Sequence, residues 1–80
     1  MDRTAILASI QEIVRETLDD DDVVLTETTK ASDVSGWDSM NQLRIVMAVE
    51  KKYGVQFEVE EIESLADVGA LVGLVERYAR

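Results

Sequence analysis

The side chains of this chain that could do chemistry are hydroxyls, carboxylates and lysines, because its 80 residues include no Cys and no His. That excludes a thiolate nucleophile, a disulfide framework, a Ser-His-Asp triad and the usual ligation of zinc or haem. Among the hydroxyls, Ser39 stands apart by its setting. It follows Asp38 and opens a run of helical periodicity, so it sits at the positive end of a helix dipole. A serine there serves either as a cap or, because free backbone N–H groups and the dipole both stabilise an anion, as an attachment point for a phosphoryl-linked group. With no imidazole to take its proton, Ser39 is a poor nucleophile by itself, and another enzyme would have to deliver that group.

The helix that Ser39 opens is predicted from about Ser39 to Tyr53, with Asp38 as N-cap, Gly54 as its stop, and Lys51 and Lys52 in the last turn where cations suit the dipole. At about 100° per residue, Ile45, Val46, Val49 and Tyr53 point one way, and Met40, Leu43 and Met47 another. Together they cover roughly 220° of the helix, more than one core needs. Two readings follow. Either all seven are core, or the second group is an exposed apolar face whose methionines adapt to changing shapes.

Three further elements must hold this helix. Ile6, Leu7, Ile10, Ile13, Val14 and Leu18 recur at spacings of three and four, which predicts an amphipathic helix over Arg3 to Leu18. Residues 19 to 37 show no sustained period and form a long connection, for which Val23, Val24, Leu25, Ala31, Val34 and Trp37 are the expected apolar pins. Trp37 is expected to be buried against the bundle. Within VQFEVEEIES the alternation of Val55, Phe57 and Val59 suggests a strand that would have no partner, so an extended connection and one short helical turn near Glu60 to Glu63 are predicted. The last helix is expected after Ser64, with Ser64 and Asp67 as a variant capping box and Leu65, Val68, Leu71, Val72, Val75 and Tyr78 as its buried stripe. Gly69 and Gly73 would permit a neighbour to come close. The expected fold is an all-α four-helix bundle of three long helices and one short one, with the long loop between the first and second helices, in a single domain over residues 1–80.

Charge narrows the partners. With 17 acidic and 8 basic residues the net charge is −9, which disfavours binding to nucleic acid or to anionic membrane surfaces. No apolar run reaches the roughly 20 residues of a membrane span, and the start MDRTAILASI is too short and polar for a signal peptide, so a cytoplasmic protein is expected. The run Asp19 to Asp22 fails as a calcium loop. Counted from Asp19, the fifth, sixth and twelfth positions of such a loop fall on Val23, Val24 and Lys30. It reads as a solvated acidic corner, and no metal ligands are assigned.

The run Gly36-Trp37-Asp38-Ser39-Met40 resembles the Asp-Ser-Leu signature of acyl carrier proteins. It is followed by LRIVMAVEKKYGVQF, similar to that family's second helix, and by the closing segment IESLADVGALVGLV. The resemblance covers essentially the whole chain. It implies that a phosphopantetheinyl transferase moves 4′-phosphopantetheine from coenzyme A onto Ser39, and that the thiol of the arm carries acyl groups as thioesters. The protein itself would then be a non-catalytic carrier whose thiol, absent from its own side chains, arrives with the arm.

By the same resemblance Asp38 supports transferase recognition, while Met40, Leu43, Arg44 and Met47 face the partner or the acyl chain. The partners implied are the transferase and the acyl-transfer, condensing or adenylating enzymes of fatty-acid, polyketide or specialised biosynthesis, met by a monomer. Two features depart from the fatty-acid carriers of the family. Met40 stands where they have Leu, and from Asp38 to Tyr53 the bases outnumber the acids. These point to a dedicated pathway, or to an aminoacyl, peptidyl or D-alanyl type of carrier. A reading from another class is an unmodified helical interaction module that uses the Met40, Leu43 and Met47 face.

Overall fold

The computed structural model describes residues 2–79, so the two ends of the expected 1–80 domain lie outside the described residues. Four helices follow one another, α1 (Arg3–Leu18), α2 (Ser39–Tyr53), α3 (Val59–Glu63) and α4 (Val68–Tyr78), and a 3₁₀ turn (Ala31–Asp33) interrupts the long connection. No strand occurs among the described residues. This is the expected all-helical arrangement, with the Val55 to Val59 alternation resolved as an extended link into α3.

Helix α1 begins where Asp2 accepts the Thr4 N–H at 3.1 Å and ends at Asp19, whose φ of 52° is left-handed. Short polar side chains tolerate that region better than most, so the first of the four aspartates makes the turn that a glycine usually makes. The buried stripe Ile6, Ile10 and Val14 meets Ile45, Val46 and Val49 of α2 and Val68, Leu71, Val72, Leu74 and Val75 of α4 in one core. Helix α1 packs against both α2 and α4.

The long connection is fastened by polar groups as well as apolar ones. Val23 and Leu25 are buried, whereas Val24, expected as a pin, is 72% exposed, because successive residues of an extended segment point to opposite sides. Arg15 Nε donates to the Val23 carbonyl at 2.8 Å, and the Leu25 N–H donates to Gln11 Oε1 at 2.8 Å. Further on, the Val68 N–H donates to the Thr29 carbonyl at 2.8 Å and the Gly69 N–H to the Glu27 carbonyl at 2.7 Å. The first amides of α4, orphaned in any isolated helix, are thus satisfied by the loop. Arg3 closes the same corner through Glu27, Glu76 and the Gly69 carbonyl.

The start of α4 differs from the expectation. Asp67 is its N-cap and accepts the Ala70 N–H at 2.8 Å. Ser64 instead ends α3, because only Asp67 has the extended backbone that a cap requires. Leu65 therefore lies before the helix and is half-buried, while Leu74 joins the buried stripe. Gly69 does permit a close approach. A Cβ there would stand 2.7 Å from the Glu27 carbonyl oxygen, whereas one at Gly73 would meet Arg3 only at 3.9 Å, an ordinary contact.

Candidate functional site

Gly36 turns the chain with a φ of 87°, a conformation in which a side chain would be strained. Trp37 follows, then Asp38 at the N-cap and Ser39 as the first residue of α2. Asp38 Oδ1 accepts the Asn41 N–H at 2.9 Å, and the Asp38 carbonyl accepts the Gln42 N–H at 2.8 Å. Asn41 Nδ2 reaches back to the Gly36 carbonyl at 2.8 Å. Trp37 Nε1 donates to Gln42 Oε1 at 2.6 Å. The Ser39 hydroxyl takes part in none of these bonds, and the residue is exposed. The N–H groups of Ser39 and Met40 lie in the first turn, where no intrahelical acceptor reaches them.

Trp37 is half-buried rather than enclosed. It packs against the core and also lines, with Ser39, a cleft of about 510 Å³. Gln42 and Leu71 contribute to this cleft, and Ile62 and Leu65 bring the α3 side to it. Helix α3 buries none of its residues. Ile62 packs against the core, and Glu61 gives a polar tie to α4, accepting the Tyr78 hydroxyl and lying 3.1 Å from Arg77 Nη2. The Tyr78 bond, reinforced by the Glu58 N–H and by Arg77, holds the Glu61 carboxyl below the usual glutamate range, and the same bond raises the Tyr78 hydroxyl. At the opposite corner the Arg3 guanidinium lowers Glu27, while Glu27 and Glu76 raise Arg3.

The sequence left open whether the second apolar group of α2 is core or surface. Ile45, Val46 and Val49 are fully buried, whereas Met40, Leu43 and Met47 are 64%, 54% and 58% exposed. Arg44 is exposed between them. None of these four lines the cleft at Ser39. The surface expected to face the partner or the acyl chain is therefore separate from the cleft. The methionine face looks to solvent, and the concave surface lies on the other flank of Ser39, against Trp37, Ile62 and Leu65. Trp37 and Gln42 were not among the site residues expected from the sequence. The Gly-Trp-Asp-Ser run and the four-residue helical spacing from Asp38 to Gln42 were the available signals.

A compact bundle that offers an open helix start and a shallow cleft beside it has the form of a helical carrier domain. The sequence model of the phosphopantetheine attachment site matches residues 8–75. An acyl carrier protein of Exiguobacterium is 36% identical over 76 residues, spanning 95% of this chain and 96% of that protein. Another, of Thermotoga maritima, is 31% identical over 75 residues, spanning 94% and 93%. The solution NMR structure of holo acyl carrier protein from Geobacter metallireducens superposes with a TM-score of 0.83 at 35% identity, covering 90% of this chain and 83% of that one.

The chain belongs to the acyl carrier protein family. Its cofactor is covalently bound phosphopantetheine, and the family consists of carriers that work with partner enzymes of acyl transfer. No helix among the described residues is long and apolar enough to cross a membrane.

Proposed function

We propose that Ser39 is the residue that bears the phosphopantetheine, and that residues 1–80 act as one cytoplasmic, monomeric carrier domain. One observation carries this reading: Ser39 is exposed at the first position of α2 and its hydroxyl is outside every hydrogen bond of its corner, at the rim of the cleft. The surroundings fit a phosphodiester. The free first-turn amides and the helix dipole favour an anion at this point, and Asp38 is already turned inward to cap Asn41.

A phosphopantetheinyl transferase is the enzyme that would load it. The Ser39 Oγ–P bond forms while the pyrophosphate bond of coenzyme A breaks, adenosine 3′,5′-bisphosphate departs and the hydroxyl proton passes to a base on the transferase. The thiol so acquired supplies a thioester linkage for acyl groups. Asp38 orders the turn and presents the hydroxyl, and Met40, Leu43, Arg44 and Met47 meet the transferase and the acyl-transfer, condensing or adenylating enzymes.

The test is mass spectrometry after incubation with coenzyme A and a broad-specificity transferase. The wild-type chain should gain one phosphopantetheine and Ser39→Ala none. A chain that stays unmodified, or an adduct that persists on Ser39→Ala, overturns the assignment.

A further inference from the structure

The charges of α2 are distributed unlike those of the rest of the molecule. The one acid within the helix, Glu50, is half-buried and accepts the Phe57 N–H, and Asp38 just before it, exposed at the Ser39 end, accepts the Asn41 N–H. The three cations of α2, Arg44, Lys51 and Lys52, are exposed. Among the described residues the ion pairs are made by Arg3, Arg15 and Arg77, and none uses a cation of α2. The helix thus shows positive charge outward on a protein whose net charge is −9.

The register of these cations matters. Met40, Arg44, Met47 and Lys51 follow one another at intervals of four, three and four residues, so they form a single stripe along the exposed side of α2, with Leu43 beside it. Apolar and cationic groups alternate along that stripe, and Arg44 and Lys51 lie about 10 Å apart along the axis.

We infer that the α2 stripe docks on an acidic protein surface: an apolar strip that receives Met40, Leu43 and Met47, with two carboxylates about 10 Å apart that pair with Arg44 and Lys51. A basic partner surface would face two unpaired cations here and be repelled. The inference rests on the reading of α2 as the docking helix, and it specifies the chemistry of the partner. The excess of acids elsewhere on the chain acts against such a partner at long range, so recognition comes from the local pairing once the surfaces meet.

The test uses two synthetic helical peptides of about two heptads with the same Leu face, one carrying Glu a heptad apart along its edge and the other Lys at those positions. Each is titrated into isotopically labelled Ser39→Ala protein and followed by amide chemical shifts. The Ser39→Ala background makes the outcome independent of whether Ser39 is the modified residue. The Glu peptide should shift the amides from Met40 to Lys51 saturably and bind about tenfold more tightly than the Lys peptide. Arg44→Glu combined with Lys51→Glu should weaken it about tenfold and favour the Lys peptide. The inference is overturned if the Lys peptide binds this face of the unreversed protein as well as the Glu peptide does, if neither moves these amides, or if the double reversal leaves both affinities unchanged.

Discussion

The carbonyl oxygen of Glu27 accepts the Gly69 N–H at 2.7 Å and stands 2.7 Å from where a Cβ on Gly69 would lie. The bond and the missing side chain belong to one contact, because the loop backbone reaches the first turn of α4 only where no methyl group intervenes. Glycine within a helix normally costs about 1 kcal/mol relative to alanine, so Gly→Ala is expected to stabilise wherever there is room. At Gly69 the sign reverses. Gly69→Ala should lower stability by about 1–3 kcal/mol as the loop is pushed off, whereas Gly73→Ala should raise it by about 0.5–1 kcal/mol. Urea denaturation of the two variants checks the contrast, and equal effects would contradict it.

Asp38 combines two roles that substitution can separate. Asp38→Ala removes the acceptor for the Asn41 N–H and should cost about 1 kcal/mol. Asp38→Asn keeps a capping oxygen while removing the charge, so it should retain most of that stability. If the carboxylate also takes part in transferase recognition, both variants slow the modification of Ser39, and only Asp38→Ala melts earlier. Parallel melting curves and modification time courses read the two effects independently.

Trp37 is the sole tryptophan of the chain, and its indole N–H is committed to Gln42. Gln42→Leu leaves a half-buried donor without that partner and should cost about 1 kcal/mol. It should also shift the tryptophan emission, since the ring forms part of the cleft at Ser39. An unaltered emission spectrum together with unaltered stability would show that the bond does not position the ring.

The contact of Glu61 with Tyr78 sets a pH dependence with opposite signs at the two ends of the scale. Folded Glu61 has a lowered pKa. Its stabilising contribution is therefore present above the ordinary glutamate value near about 4.3 and disappears as pH falls through the folded value. Glu27, lowered by Arg3, adds to the same acid limb. Folded Tyr78 has a raised pKa, so its contribution is present below about 10 and disappears as pH rises through the folded value. Glu61→Gln should flatten both limbs of a melting-temperature profile, whereas Tyr78→Phe should flatten the alkaline limb and reduce only part of the acid one. Thermal melts across the pH range check this.

The parts of the fold written in periodicity were legible in the sequence. The bounds Arg3–Leu18 and Ser39–Tyr53 follow from apolar spacing and from Asp38 and Gly54, and the short α3 follows from the lack of a partner for a strand. The place of Ser39 at the start of α2 was legible for the same local reasons, whereas the Asp-Ser run was legible as a signature only through its resemblance to a family. The start of α4 was not, because Ser64 and Asp67 are both competent caps and only the route of the chain chooses between them. Nor were the long-range bonds of Arg3, Gln11 and Arg15, whose polar side chains look solvated until the loop folds over them. The exposure of Met40, Leu43 and Met47 lies between these cases. The width of the apolar arc showed that one group was surplus, and packing against α1 decided which.

The seam between the loop and α4 bears on how the molecule folds. Val68 and Gly69 find their acceptors at Thr29 and Glu27, about forty residues earlier in the chain. The first turn of the last helix therefore cannot be completed locally and has to wait for the loop to arrive. This couples the long connection and the last helix into one cooperative unit, so these two amides should exchange with solvent only when the whole bundle opens.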